Sequence, residues 1–252
     1  NEMTPDTEPA TTRQDEDDVV ILYRGGRLPS WDQLDAEQQL AVQQEHVDLM
    51  LSVAGEHHLQ SMYGYRLVTP RGAWERFWTI AFPNLAGAEA WMSAEVAPPY
   101  GRYGYYEYDL ARRWRPESLA WLPQRTIHAE DGADPRVVPA LAVDAGSIVV
   151  LCFSRWQPGS DEIAPHVRGD ELRRQRLQDV AGDHGLLHGE VFRLVGSGRD
   201  GDLVWILEFP DLVGAEAWIN AEVAPPGGSY HERTYHLSRR WAPAYFASWS
   251  SP

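Results

Sequence analysis

The sequence predicts an α+β protein in which one βαββαβ unit is written twice. Three observations predict it. The stretch "FPNLAGAEAWMSAEVAPP" (Phe82 to Pro99) returns almost unchanged as "FPDLVGAEAWINAEVAPP" (Phe209 to Pro226). The same offset holds without a gap from "VAGEH" at Val53 against "VAGDH" at Val180, through to "LARRW" at Leu110 against "LSRRW" at Leu237, which marks an internal duplication. Within each copy, four short apolar runs are interleaved with two segments of helical periodicity.

The first strand is "VVILY" from Val19, matched by "IVVLCF" from Ile148. The sole cysteine, Cys152, lies in that second run and reads as a buried structural thiol. A helix follows, with Leu40, Val47, Leu51 and Ala54 at helical spacing, and Gly55 and Gly182 are expected to stop the two copies. The second strands are Leu59 to Val68 and Leu186 to Val195, and the third are Glu75 to Phe82 and Asp202 to Phe209. Asn84 and Asp211 differ, yet either side chain caps a helix N-terminus. The expected apolar stripe of the second helix is Leu85, Ala88, Met92 and Val96, copied as Leu212, Ala215, Ile219 and Val223. Proline pairs end both helices, and the fourth strands run from about Tyr103 and Tyr230.

This order is the ferredoxin-like arrangement, whose helices cover one sheet face. The other face needs a partner, and the sibling copy supplies it. The expected organisation is an acidic disordered tail (1–18), a first repeat (19–116), a Pro- and Ala-rich linker (117–147), a second repeat (148–243) and a C-terminal tail (244–252). The tail assignment rests on seven acids against one base between Asn1 and Asp18. Two such units resemble the dimeric α/β-barrel superfamily in its single-chain tandem form. The "PSWDQLDAEQQ" segment (Pro29 to Gln39) is similar to small darcynin-like proteins. The resemblance implies two ferredoxin-like repeats pairing into one pseudo-symmetric barrel around an enclosed hollow. It also implies a ligand site between sheet and helices. The superfamily spans cofactor-free monooxygenases, polyketide cyclases, lactone isomerases and haem enzymes, so it implies a place for chemistry and not a reaction.

Composition narrows the chemistry. The net charge of −15 argues against a nucleic-acid partner. No apolar run is long enough to span a membrane, so the expectation is a soluble cytoplasmic protein, monomer or homodimer. All 22 basic residues are arginine, which removes Schiff-base and lysine phosphate-loop chemistry. One cysteine cannot build a disulfide, a cysteine zinc cage or an iron–sulfur site.

His57 and His184 are repeat equivalents, read as a general base at each pocket mouth or as residues closing a helix C-terminus. His188 and Glu190 replace Ser61 and Tyr63 of the first copy and share a sheet face. They read as a base with its orienting partner, or as polar residues of an edge strand. His231 and His236 face opposite ways on one strand and make a poor third metal ligand. The tyrosine-rich "YGRYGYYEYDL" (Tyr100 to Leu110), with Tyr103 and Tyr105, joins Tyr63, Tyr65 and Tyr230 as candidate lining for a flat ligand. Trp78 and Trp205 are core residues or pocket walls. Arg66 and Arg193 grip a carboxylate or simply face solvent. The doublets at Arg112 and Arg239 are expected to pair with Glu95 and Glu222.

The resulting expectation is an enzyme of secondary metabolism acting on an aromatic or polyketide-like molecule. It would work by cofactor-free acid–base chemistry of the cyclase, isomerase or monooxygenase type. The alternatives are a non-catalytic small-molecule binding protein and a haem- or metal-dependent enzyme. Haem normally needs a helical histidine, and only His46 and His166 are placed to be one.

Overall fold

The structure is a computed structural model that describes residues 18–72, 74–123, 147–196 and 202–241. Most of the expected acidic tail, residues 124–146 of the linker and all of the C-terminal tail lie outside them. The first half runs β1 (Val19–Arg27), α1 (Ala36–Glu56), β2 (Ser61–Arg71), β3 (Trp74–Phe82), α2 (Leu85–Glu95) and β4 (Gly104–Arg113). The second runs β5 (Ile148–Trp156), α3 (Pro165–Arg168), α4 (Asp170–Asp183), β6 (His188–Leu194), β7 (Leu203–Phe209), α5 (Leu212–Val223) and β8 (His231–Arg240). No described helix is long and apolar enough to cross a membrane.

The eight strands close into an antiparallel barrel in the order β1-β3-β2-β8-β5-β7-β6-β4. Each half contributes four neighbouring strands, and two short seams join the halves. Tyr65 to Leu67 of β2 pair with Arg240 to Ser238 of β8. Ala111 to Arg113 of β4 pair with Leu194 to Phe192 of β6. The closure leaves neither half an open sheet edge.

Strand alternation sends one set of side chains inward and the other toward the helices. The inward set, including Val20, Leu22, Tyr65, Phe77, Leu151, Phe192 and Ile206, packs into one core. The expected hollow is therefore absent along the barrel axis. An eight-stranded barrel is only wide enough for its own side chains to fill. The outward set forms a separate core under the helices of each half. Open space, where it exists, lies between sheet and helix or at the barrel mouth.

Two helix expectations are corrected. Gly55 and Gly182 do not end their helices; α1 and α4 continue to Glu56 and Asp183 and are capped by His57 and His184. The left-handed residues that follow are His58 (φ 58°) and Gly185 (φ 63°). The buried face of α2 is Gly87, Ala88, Trp91, Ala94 and Glu95, while Leu85 and Val96 are exposed. The caps are as expected: Asn84 accepts from the Gly87 N–H and Asp211 from the Gly214 N–H, both at 3.0 Å.

Candidate functional site

Between the sheet and helices of the first half lies a cavity of about 40 Å³. Its lining comes from five elements. Tyr23 on β1, Met62 on β2, and Arg76, Trp78 and Ile80 on β3 form the sheet side. His46 and Met50 on α1 and Trp91 and Glu95 on α2 form the helix side, with Tyr100 at the rim. The residues sit there because odd positions of β1 and even positions of β3 share the outward face, with Tyr23 directly opposite Trp78.

Glu95 is the chemically unusual member. It is 8% exposed. Trp91 Nε1 (3.1 Å) and the Tyr108 hydroxyl (3.0 Å) both donate to its Oε1. Burial lifts its carboxyl from 4.5 to about 7, against the opposing pull of those two hydrogen bonds. His46 lies flat on Tyr100, ring centroids 3.8 Å apart. Burial, reinforced by Arg27, lowers its imidazole from 6.5 to about 4, so it is neutral at pH 7. Arg27 stacks on Trp31 at 3.8 Å, and Arg76 on Trp241 at 4.6 Å.

The repeat supplies an internal comparison. Glu222 is the twin of Glu95, is fully buried, and accepts from Trp218 Nε1 at 2.7 Å. It has two cations: Arg173 at 2.6 Å and Arg233 at 3.2 Å. At the offset of the repeat, Arg173 corresponds to His46 and Arg233 to Tyr106. One half thus carries a buried carboxylate held between two guanidinium groups. The other carries the same carboxyl with neutral groups in both places.

The sequence-predicted residues are dispersed. His188 and Glu190 do share a face, the barrel interior, but each has another partner. His188 Nδ1 lies 3.2 Å from Glu208 Oε2, and Glu190 is paired with Arg113 at 3.2 Å. Arg113 also donates to Ser61 at 3.2 Å, so Arg113 is not the partner of Glu95. Tyr63 and Tyr65 belong to the barrel core. Trp78 and Trp205 are buried twins, and Trp78 is also a cavity wall. Tyr103 packs its edge on Trp31, and the Tyr105 hydroxyl donates to Glu107 at 2.9 Å. Tyr230 is half-buried and Arg193 exposed. His57 and His184 cap their helices, away from the cavity. Sequence reasoning took Glu95 only as an ion-pair partner for an arginine doublet, passed over Tyr23, and weighed His46 only as a haem ligand. The available signal was the mismatch between His46 and Tyr106 and their arginine twins.

A wider opening of about 350 Å³ lies at the barrel mouth, beside Arg24, Arg155, Asp202 and Glu232. Its arginines are ion-paired: Arg24 with Glu107 and Asp109, Arg155 with Glu232, and Arg233 with Glu222. Among the described residues no three His, Cys, Asp or Glu side chains gather as a metal site.

No protein-family model and no curated protein matches the chain. Solved structures do. A chlorite dismutase variant from Candidatus Nitrospira defluvii superposes with a TM-score of 0.68 at 12% identity, covering 96% of this chain and 100% of that one. The same enzyme in complex with imidazole gives 0.65 at 12%, covering 93% and 96%. A haem-binding protein from Thermus thermophilus gives 0.59 at 13%, covering 93% and 95%. The fold is that of chlorite dismutase. It is an α+β fold built on a closed, eight-stranded antiparallel barrel, and the darcynin-like likeness finds no support beside it.

These neighbours correct the functional expectation. One is named as a haem-binding protein and the others as chlorite dismutase, and none as a cofactor-free enzyme of an aromatic or polyketide-like ligand, so that reading falls. The described residues of this chain nevertheless do not fit a haem. His166 is exposed, and His46 alone is turned by a described helix into a sheet–helix space. That space holds about 40 Å³, where organic ligand pockets run to roughly 300 Å³ or more. In the second half Arg173 stands in the place of His46, and the Arg173–Glu222–Arg233 cluster occupies the ground.

Proposed function

We propose that this chain is a small-molecule binding protein whose site is the sheet–helix cavity of the first half. Each half is read as a ferredoxin-like unit, and the whole as the single-chain form of a dimeric α/β barrel. One observation supports the reading: the two halves share their scaffold, yet only the second fills its helix-side carboxylate site with cations of its own. A duplicated scaffold that pairs this carboxylate with arginines in its second half, and leaves it beside His46 and Tyr23 in its first, has kept the first as a place for something else.

The test compares wild type with His46→Arg/Tyr106→Arg, which installs the second half's cations in the first. Thermal shift against a panel of small polar compounds should give stabilising hits for wild type that the double variant loses. Haemin is part of the same panel. No Soret shift dependent on His46 is expected. A shifted Soret band lost in His46→Ala would replace this reading with a haem one.

A further inference from the structure

We propose that the first-half cavity takes an organic cation, a primary ammonium or guanidinium head, which supplies to Glu95 the positive charge that Arg173 and Arg233 supply to Glu222. This rests on the reading of the cavity as a binding site and adds the ligand's class.

The two copies differ by substitution around a shared carboxyl. Trp91 and Trp218 hold their glutamates in the same way, an indole N–H to a carboxylate oxygen four residues on. In the second half the other carboxylate oxygen, Oε2 of Glu222, meets Arg173 and Arg233. In the first half the corresponding side chains, His46 and Tyr106, are uncharged, and the cavity lies beside His46 and Glu95. A buried carboxyl without a counter-ion is costly when ionised. A charge-assisted hydrogen bond from a bound cation relieves that cost.

The walls fit the same guest. Tyr23, Trp78, Trp91 and Tyr100 present aromatic rings, and Met50 and Met62 present thioethers. Aromatic faces around a carboxylate are the surroundings that retain an ammonium group out of water. A volume of about 40 Å³ admits on the order of three waters, or a head of methylammonium size, but not a large ring.

Other charged and titratable groups face the site, and they place the cation. Arg76 lines the cavity and also, with Arg27 and Tyr106, an adjoining hollow that touches Tyr23 and Tyr100. Their guanidinium groups lie over Trp31 and Trp241. Neither arginine is among the causes that move Glu95, whereas both act on the rim groups: Arg76 on Tyr23, Arg27 on His46. A cation therefore seats at the inner, Glu95 end.

Methylammonium chloride titrated into the full chain, followed by tryptophan fluorescence against matched sodium chloride, tests this. Wild type should saturate. Its affinity should strengthen towards tenfold per pH unit as pH rises to about 7, because the carboxyl must lose its proton to accept the cation. Glu95→Gln should bind at least about tenfold more weakly. His46→Arg/Tyr106→Arg should not bind. Sodium acetate and acetamide separate the two claims. If they bind wild type but not the double variant, and methylammonium does not bind, the cavity is a site and the cation class is overturned. If no probe distinguishes wild type from the double variant, the site itself is overturned.

Discussion

Glu95 and Glu222 show how two copies of one residue come to opposite electrostatic ends. A carboxyl whose folded value is raised favours the folded state below its ordinary 4.5, and that contribution is lost as pH rises through about 7. The size of the shift makes this on the order of 3 kcal/mol. Glu95→Gln should therefore gain stability relative to wild type by about that amount between pH 5 and pH 8, read from urea unfolding at both. His46, His231 and His236, all lowered, have the opposite slope, and the difference between variant and wild type cancels them. Glu222→Gln should behave differently. It strands Arg173 and the 4%-exposed Arg233 side chain, and should cost about 3–5 kcal/mol at pH 7. Neither role was legible from hydropathy, because a glutamate scores as surface wherever it stands. The duplication did place both at one position, and reading across it to positions 46 and 106 was the step that could have found the site.

At the scale of elements, the second helices show what periodicity reads well and badly. Asn84 and Asp211 cap α2 and α5 through equivalent bonds, so the start of each helix was legible. Replacing either by alanine should cost about 1 kcal/mol in thermal or chemical unfolding. The inner face was misread: an apolar count selects Leu85 and Val96, while the helix turns inward through Gly87, Trp91 and Glu95. The glycine fixes that rotation. A Cβ at Gly87 would stand 2.7 Å from Phe82 Cδ1, and one at Gly214 equally close to Phe209 Cδ1. Alanine at either position should destabilise by about 1–3 kcal/mol through overpacking. The helix ends were misplaced for a related reason. Glycine was taken as the stop signal at 55 and 182, but the left-handed turn falls three residues on, where the first copy uses His58.

The whole molecule is a barrel closed by two seams of three residue pairs each. The repeat told of two equal units, and the need to cover an apolar sheet face told that they join. It did not tell that the inside is filled, since that follows from strand number and closure geometry. The first-half cavity lies outside the barrel wall, and the seams determine whether the halves behave as one body. At the β4–β6 seam, Arg113 and Glu190 form a buried ion pair, with Ser61 of β2 as a third member. Arg113→Ala leaves Glu190 buried without its cation and should cost about 3 kcal/mol or more. Wild type should unfold in a single transition that is the same by circular dichroism and by fluorescence. Two separated transitions would mean that the shared core does not couple the halves.

One carboxyl, Glu95, stands without an arginine partner in a cavity able to receive a cation. Its most direct measurement is the titration of the Glu95 side-chain carboxyl by ¹³C NMR, alone and with saturating methylammonium. The predicted result is a midpoint near 7 alone, moving to lower pH when the cation is present. A midpoint in the ordinary carboxylate range, or one that the cation leaves in place, would contradict it.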